Sequence, residues 1–138
     1  MRAALATICA MLGVLGSACA GGSPTSVHDL RTELPGTWAE VFDPAPPGIS
    51  RQFALTVQDS TISGTGTYTG EAIEGGTIAV TGFIAGSTVH LDLAFTPQSG
   101  GTAAMYHFNG QLSGPNTLSG AWWSTSDPVM ATFTRASQ

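Results

Sequence analysis

Two runs, Thr77-Ile78-Ala79-Val80-Thr81-Gly82-Phe83-Ile84-Ala85 and Thr88-Val89-His90-Leu91-Asp92-Leu93-Ala94-Phe95, flank the dipeptide Gly86-Ser87, and their reading decides the fold. On each side of the dipeptide, large apolar side chains recur at every second position, the period that sets them on one face of a strand. A two-residue connection that begins with glycine is a tight hairpin turn, and such a turn fixes which residues face each other. Ile84 is then opposed to Val89, apolar against apolar.

The same test extends outward in both directions. Across Asp59-Ser60, Val57 meets Ile62, and across Gly114-Pro115-Asn116, Leu112 meets Leu118. Continued along the chain, the pattern predicts eight strands, at 36–42, 51–58, 61–69, 77–85, 88–96, 103–112, 117–123 and 129–135. Their inward row includes Phe53, Leu55, Ile62, Tyr68, Ile78, Val80, Leu91, Leu93, Phe95, Tyr106, Phe108, Trp122 and Phe133. The alternate positions are mostly Thr, Ser, Gln, His and Asn, as a solvated outer wall requires. Connections at 59–60, 86–87 and 113–117 are tight, whereas those at 43–50, 70–76, 97–102 and 124–128 are longer. The prediction is an all-β domain, an eight-stranded antiparallel up-and-down barrel with a closed floor and an open mouth.

Four inner-face glycines recur in the strands, at Ile62-Ser63-Gly64, Val80-Thr81-Gly82, Phe108-Asn109-Gly110 and Leu118-Ser119-Gly120. Glycine weakens a flat strand but lets a small barrel bend, so these are architectural residues. None sits in a loop that opens a helix, as a phosphate cradle requires. Upstream, Val27, Leu30 and Leu34 fall on one helical stripe with Ser26 as a candidate N-cap, which predicts a short helix or turn that Pro35 ends.

Residues 1–18 stand apart from the fold. Arg2, the apolar run Ala3–Leu15 and the small residues before Cys19 read as a secretory signal, too short to span a bilayer. Leu15-Gly16-Ser17-Ala18-Cys19 resembles a bacterial lipobox, although Gly16 stands where that motif prefers a larger residue. The resemblance implies cleavage before Cys19 and lipid on its thiol; the alternative is an ordinary signal cut nearby. The expected organisation is a signal at 1–18, a lipidated tether and short helix at 19–35, and the barrel at 36–138. That predicts an exported protein held at the cell envelope, with the membrane as partner through the lipid. The other cysteine, Cys9, leaves with the signal, so no internal disulfide is expected.

From Cys19 onward, three arginines and no lysine stand against nine carboxylates, a formal charge of −6. A basic face that displaces counterions is missing, which excludes nucleic acid as a partner. Asp43, Glu71, Glu74 and Asp127 gather on the mouth connections. An acidic rim repels anions over about 10 Å in ordinary salt, so a small neutral or cationic ligand is expected, if a ligand binds at all. The oligomeric state is left open.

The first strand begins and the last strand ends at the floor, so Trp38 and Arg135 should meet there. An arginine over an indole contributes roughly 0.5–2 kcal/mol and would complete the barrel closure. Gly36-Thr37-Trp38 with a late Arg135 is similar to the calycin pattern shared by lipocalins, whose first-strand tryptophan packs beneath a C-terminal basic residue. Gly36-Thr37-Trp38, Gly66-Thr67-Tyr68, Trp123-Ser124-Thr125 and Thr132-Phe133-Thr134-Arg135 also resemble avidin-like barrels in order and spacing. That second resemblance implies a ligand-contacting role for Tyr68. It disfavours biotin, because Glu40 and Ala131 stand where the family carries an asparagine and an aspartate. Each missing polar partner would leave a buried ureido group unsatisfied, at about 1–3 kcal/mol.

Eight strands enclose either a filled core or room for one small ligand. For a ligand, Tyr68, Tyr106, Phe108 and Trp122 are the candidate wall, and Glu40 is an inward carboxylate that needs a partner, for which Arg51 is available. With a filled barrel the protein would be structural or make protein contacts, with Trp123 and the 43–48 flap exposed. On the outer wall, His90 and Asp92 are expected opposite Met105 and His107; two histidines and an aspartate could bind metal, but cross-strand pairing is the simpler reading. No nucleophile elbow, zinc-hydrolase helix motif or reactive cysteine is present in the sequence, so neither an enzyme nor a cofactor is expected.

Overall fold

The computed structural model describes residues 29–44, 48–70, 75–125 and 127–136. They form one short helix, α1 (Leu30–Glu33), and eight strands: β1 (Gly36–Val41), β2 (Ser50–Gln58), β3 (Thr61–Thr69), β4 (Gly76–Ala85), β5 (Thr88–Pro97), β6 (Ala104–Gly114), β7 (Thr117–Trp123) and β8 (Val129–Arg135). Each strand pairs antiparallel with its neighbours in sequence, and β1 pairs with β8, so the sheet closes in the order β1 to β8. This is the predicted up-and-down barrel, with strand limits that move by two residues at most.

The three hairpin registers are those the apolar pairings require: Val57 opposite Ile62, Ile84 opposite Val89 and Leu112 opposite Leu118. Asp59 (φ 57°) and Gly86 (φ 61°) open the two-residue turns in the left-handed region, which matches the twist of the strands they join. At the third hairpin the register shifts between Leu112 and Gly114, so β6 runs two residues further than expected and carries a bulge there.

Phe53, Phe108 and Phe133 meet near the barrel axis, with ring centroids 5.1 and 5.4 Å from Phe133, among Leu55, Ile62, Ile78, Val80, Leu91 and Leu118. The inner-face glycines belong to this packing. At Gly66 a Cβ would collide with the Gln52 carbonyl oxygen and lie 2.7 Å from the Phe53 Cβ, so the strands approach there more closely than any side chain permits.

The floor is closed from outside the sheet. Asp29 caps α1 by accepting a hydrogen bond from the Arg31 amide, and Leu30 and Leu34 are buried under the barrel. This corrects the expected cap: Ser26 and Val27 lie outside the described residues, and the capping oxygen is that of Asp29. Trp38 is opposite Arg135 across the β1–β8 seam and fully buried. Its Nε1 donates to the Leu34 carbonyl at 2.9 Å. The Arg135 guanidinium lies 4.7 Å from the indole centroid and donates to the carbonyls of Pro35 and Glu33. Gly36 (φ +137°) leaves the space this guanidinium occupies; a Cβ there would overlap it.

Candidate functional site

Tight turns and α1 occupy one end of the barrel, so the crossings that follow β1, β3, β5 and β7 surround the other. Alternation along β2 sends Arg51 inward on the same row as Phe53 and Leu55, and register places it beside Tyr68 of β3. On the facing strands the inward aromatic side chains nearest the mouth are Phe95, Tyr106 and Trp122. Their rings meet in a chain: Tyr68 to Phe95 at 5.2 Å, Phe95 to Tyr106 at 5.1 Å and Tyr106 to Trp122 at 5.4 Å between centroids. Such tilted and edge-on contacts suit the ring quadrupoles and hold each ring in place.

Above these rings lies a cavity of about 370 Å³, lined also by Ile49, Pro97 and Ala104. That volume is at the small end of the roughly 300–1,000 Å³ usual for ligand sites. The interior is thus filled through its lower layers and hollow at the mouth, a combination of the two expected outcomes.

Arg51 is the charged group on the cavity wall. Its guanidinium stacks 4.4 Å from the Trp122 centroid, with the rings of Phe42 and Phe95 at 5.3 and 5.9 Å. Nη1 donates to Glu40 Oε2 at 2.8 Å. The two partners differ in access: the Glu40 side chain keeps 5 % of its surface, the Arg51 side chain 27 %. Glu40 therefore lies behind the arginine, and Arg51 is what an incoming molecule meets. Burial pushes the Glu40 carboxyl above its ordinary value of 4.5, against the charge and hydrogen bond of Arg51, which pull it down.

Of the sequence-predicted wall, Tyr68, Tyr106 and Trp122 line the cavity together. Glu40 reaches it only through Arg51. Phe108 is corrected from wall to core: it lies one inward position deeper than Tyr106 on β6, is 1 % exposed and packs edge-on against Phe133. Arg51 and Phe95 are among the wall residues that sequence reasoning did not place in the site, with Ile49, Pro97 and Ala104. The signal for Arg51 was available, since it continues the inward row of β2 and is the one charge in it.

The acidic rim is present in part: Asp43 and Asp127 are exposed, whereas Glu71, Glu74 and flap residues 45–47 lie outside the described residues. Cys19 does too. On the outer wall the β5–β6 register gives one of the expected pairings. Asp92 is opposite His107, with Nδ1 and Oδ1 2.6 Å apart, whereas His90 is opposite Asn109 and Met105 is opposite Ala94. The inner-row pairs Leu91–Phe108 and Leu93–Tyr106 set that register. His90 also stacks on Phe83, 4.5 Å between centroids. Among the described residues, no group of three or more His, Cys, Asp or Glu side chains is placed to hold a metal ion.

The fold and the site define a class: a closed eight-stranded antiparallel barrel, plugged at one end, with an aromatic cavity and one accessible arginine at the other. No family model, curated protein or solved structure matches the chain.

Proposed function

We propose that this chain is a binding protein rather than an enzyme: a lipid-anchored envelope barrel that takes a small, largely apolar ligand at its open mouth. The observation that carries the reading is the 370 Å³ cavity, whose wall is built from aromatic rings of four different strands. The cationic part of the expected ligand class is dropped, because Arg51 faces the cavity and a second cation would meet a like charge of low solvation.

The anchor rests on the lipobox-like Cys19 stretch, and the calycin-like reading on the Trp38–Arg135 closure. The described chain begins beside the floor, so a membrane tether at Cys19 would turn the mouth away from the bilayer. Stable attachment requires more than one acyl chain, which a bacterial lipoprotein anchor supplies. Native mass spectrometry of the full chain released gently from membranes tests the ligand. A retained small molecule lost on substituting Trp122 and Tyr106 together by alanine is the expected result; an unliganded mass under all conditions is the opposing one. Fractionation tests the anchor: Cys19→Ala protein should leave the membrane fraction, and its retention there would end that part of the reading.

A structural, protein-contact role is the second reading. It is favoured by one observation, the exposed Met105 and Met130 on the outer wall near the mouth, with Trp123 half-buried on the same face.

A further inference from the structure

Resting on the ligand-binding reading above, we propose that Arg51 is an anion anchor and that the cavity takes a flat aromatic ring bearing a single carboxylate, with Glu40 as the positioning residue. The wall supplies rings on several sides, which select a planar apolar body. The same wall supplies a guanidinium, a rigid fork of five N–H donors that matches a carboxylate edge to edge. Among the described residues, one of those donors is engaged by a side chain, that of Glu40. Trp122 covers a face of the fork while the Arg51 side chain keeps 27 % of its surface, and the aromatic surroundings strengthen a charge-assisted hydrogen bond relative to water.

Charge count narrows the anion. The other described cations, Arg31 and Arg135, lie at the floor, where Arg31 reaches Ser60 and Arg135 is held by backbone carbonyls. One cation at the mouth suits one negative charge, so a monocarboxylate fits better than a phosphate dianion. The exposed rim carboxylates slow the approach of an anion without reaching the enclosed contact, since their field is screened over about 10 Å in 0.1 M salt.

Glu40 makes the binding pH-dependent. With the ligand in place, two carboxylates share one guanidinium, and like charges that close do not both stay ionised. The more buried carboxylate, Glu40, takes a proton from solvent, so a neutral Arg–Glu pair plus an anion and a proton becomes an Arg–carboxylate pair beside a neutral acid. The groups facing Glu40 are few. β2 presents Arg51, β8 presents Phe133 directly opposite, and β3 and β6 bring the phenols of Tyr68 and Tyr106 to the same cavity. Asp43, on the crossing after β1, is exposed. Elevation of the Glu40 carboxyl by burial already favours that protonated form.

Isothermal titration calorimetry of the full chain with 2-naphthoate, 2-naphthamide and 2-naphthylmethylammonium tests this. Naphthoate should bind about ten-fold tighter than the isosteric amide, with the ammonium weakest, and buffers of different ionisation enthalpy should report uptake of about one proton. Arg51→Gln should abolish the preference while still binding the amide, which shows that the barrel is intact. Glu40→Gln should tighten naphthoate binding at about pH 7.5 and remove the proton uptake. Amide binding equal to that of naphthoate, or a preference that survives Arg51→Gln, overturns the anion anchor and leaves the ligand-binding reading standing. Failure of all three probes to bind overturns both.

Discussion

Each end of the barrel holds an arginine against a tryptophan, yet the two arginines are held by different partners. At the floor, Arg135 lies over Trp38 and donates to the carbonyls of Pro35 and Glu33, beside α1. At the mouth, Arg51 lies over Trp122 at a shorter centroid distance, 4.4 against 4.7 Å, but it donates to one carboxylate, that of Glu40, and no helix among the described residues covers it. The same pair of side chains thus seals one end and equips the other. What separates the roles is the supply of backbone acceptors: a chain segment that runs beneath the barrel delivers carbonyls to Arg135, and nothing comparable among the described residues reaches Arg51.

The sharpest way to break this contrast is at the floor. Trp38→Ala removes a fully buried indole, its bond to Leu34 and the surface under Arg135, and should cost about 3–5 kcal/mol in urea unfolding. Arg135→Met keeps the apolar stem but loses the guanidinium contacts, for an expected loss of about 2–4 kcal/mol by the same measurement. Arg51→Met should cost less, about 1–3 kcal/mol near neutral pH, because it strands the Glu40 carboxylate. That penalty should disappear in acid, where Glu40 is protonated; a pH-independent cost would mean that Arg51 acts as packing alone.

Glu40→Gln sharpens the electrostatic half of the comparison. Folding raises the Glu40 carboxyl above its ordinary 4.5, so the native state holds this proton more tightly than the unfolded chain. Its contribution to stability is therefore most favourable at low pH and declines as pH rises from the usual carboxylate range through the raised value. Replacing it by glutamine should flatten that part of the stability–pH curve, read from urea midpoints at about pH 4 to 7. Asp92→Asn on the outer wall is the control. Both partners of the Asp92–His107 pair are about half exposed, and the change should stay within about 0.5 kcal/mol.

The barrel was legible because alternation and tight turns are local signals that check each other. Once Ile84 faces Val89 and Val57 faces Ile62, a slip by one residue would turn every large apolar side chain outward. The seam between Trp38 and Arg135 followed from counting strands, since an even number returns the chain to its starting end. The site was legible only in part. Parity tells which residues point inward but not how deep each lies, so Phe108 and Tyr106 looked equivalent although one is core and the other is wall. Depth depends on register across the whole barrel and on how much of the interior the three central phenylalanines fill. Sequence shows Arg51 as a counter-ion for Glu40 but not as an accessible surface, because pairing follows from parity and access does not. The helix cap was misplaced for a smaller reason: Ser26 and Asp29 are both good caps, and the choice between them depends on where the chain first touches the barrel.

The closed end also carries both termini of the described chain, with the Ala136 amide bonded to the Thr37 carbonyl. Among the described residues the rim is consequently made of the crossings between paired strands, each anchored at both sides in a complete ladder. A crossing so held can be lengthened, shortened or exchanged while the cylinder beneath it is preserved. This protein is therefore a scaffold on which new recognition can be grafted from one side.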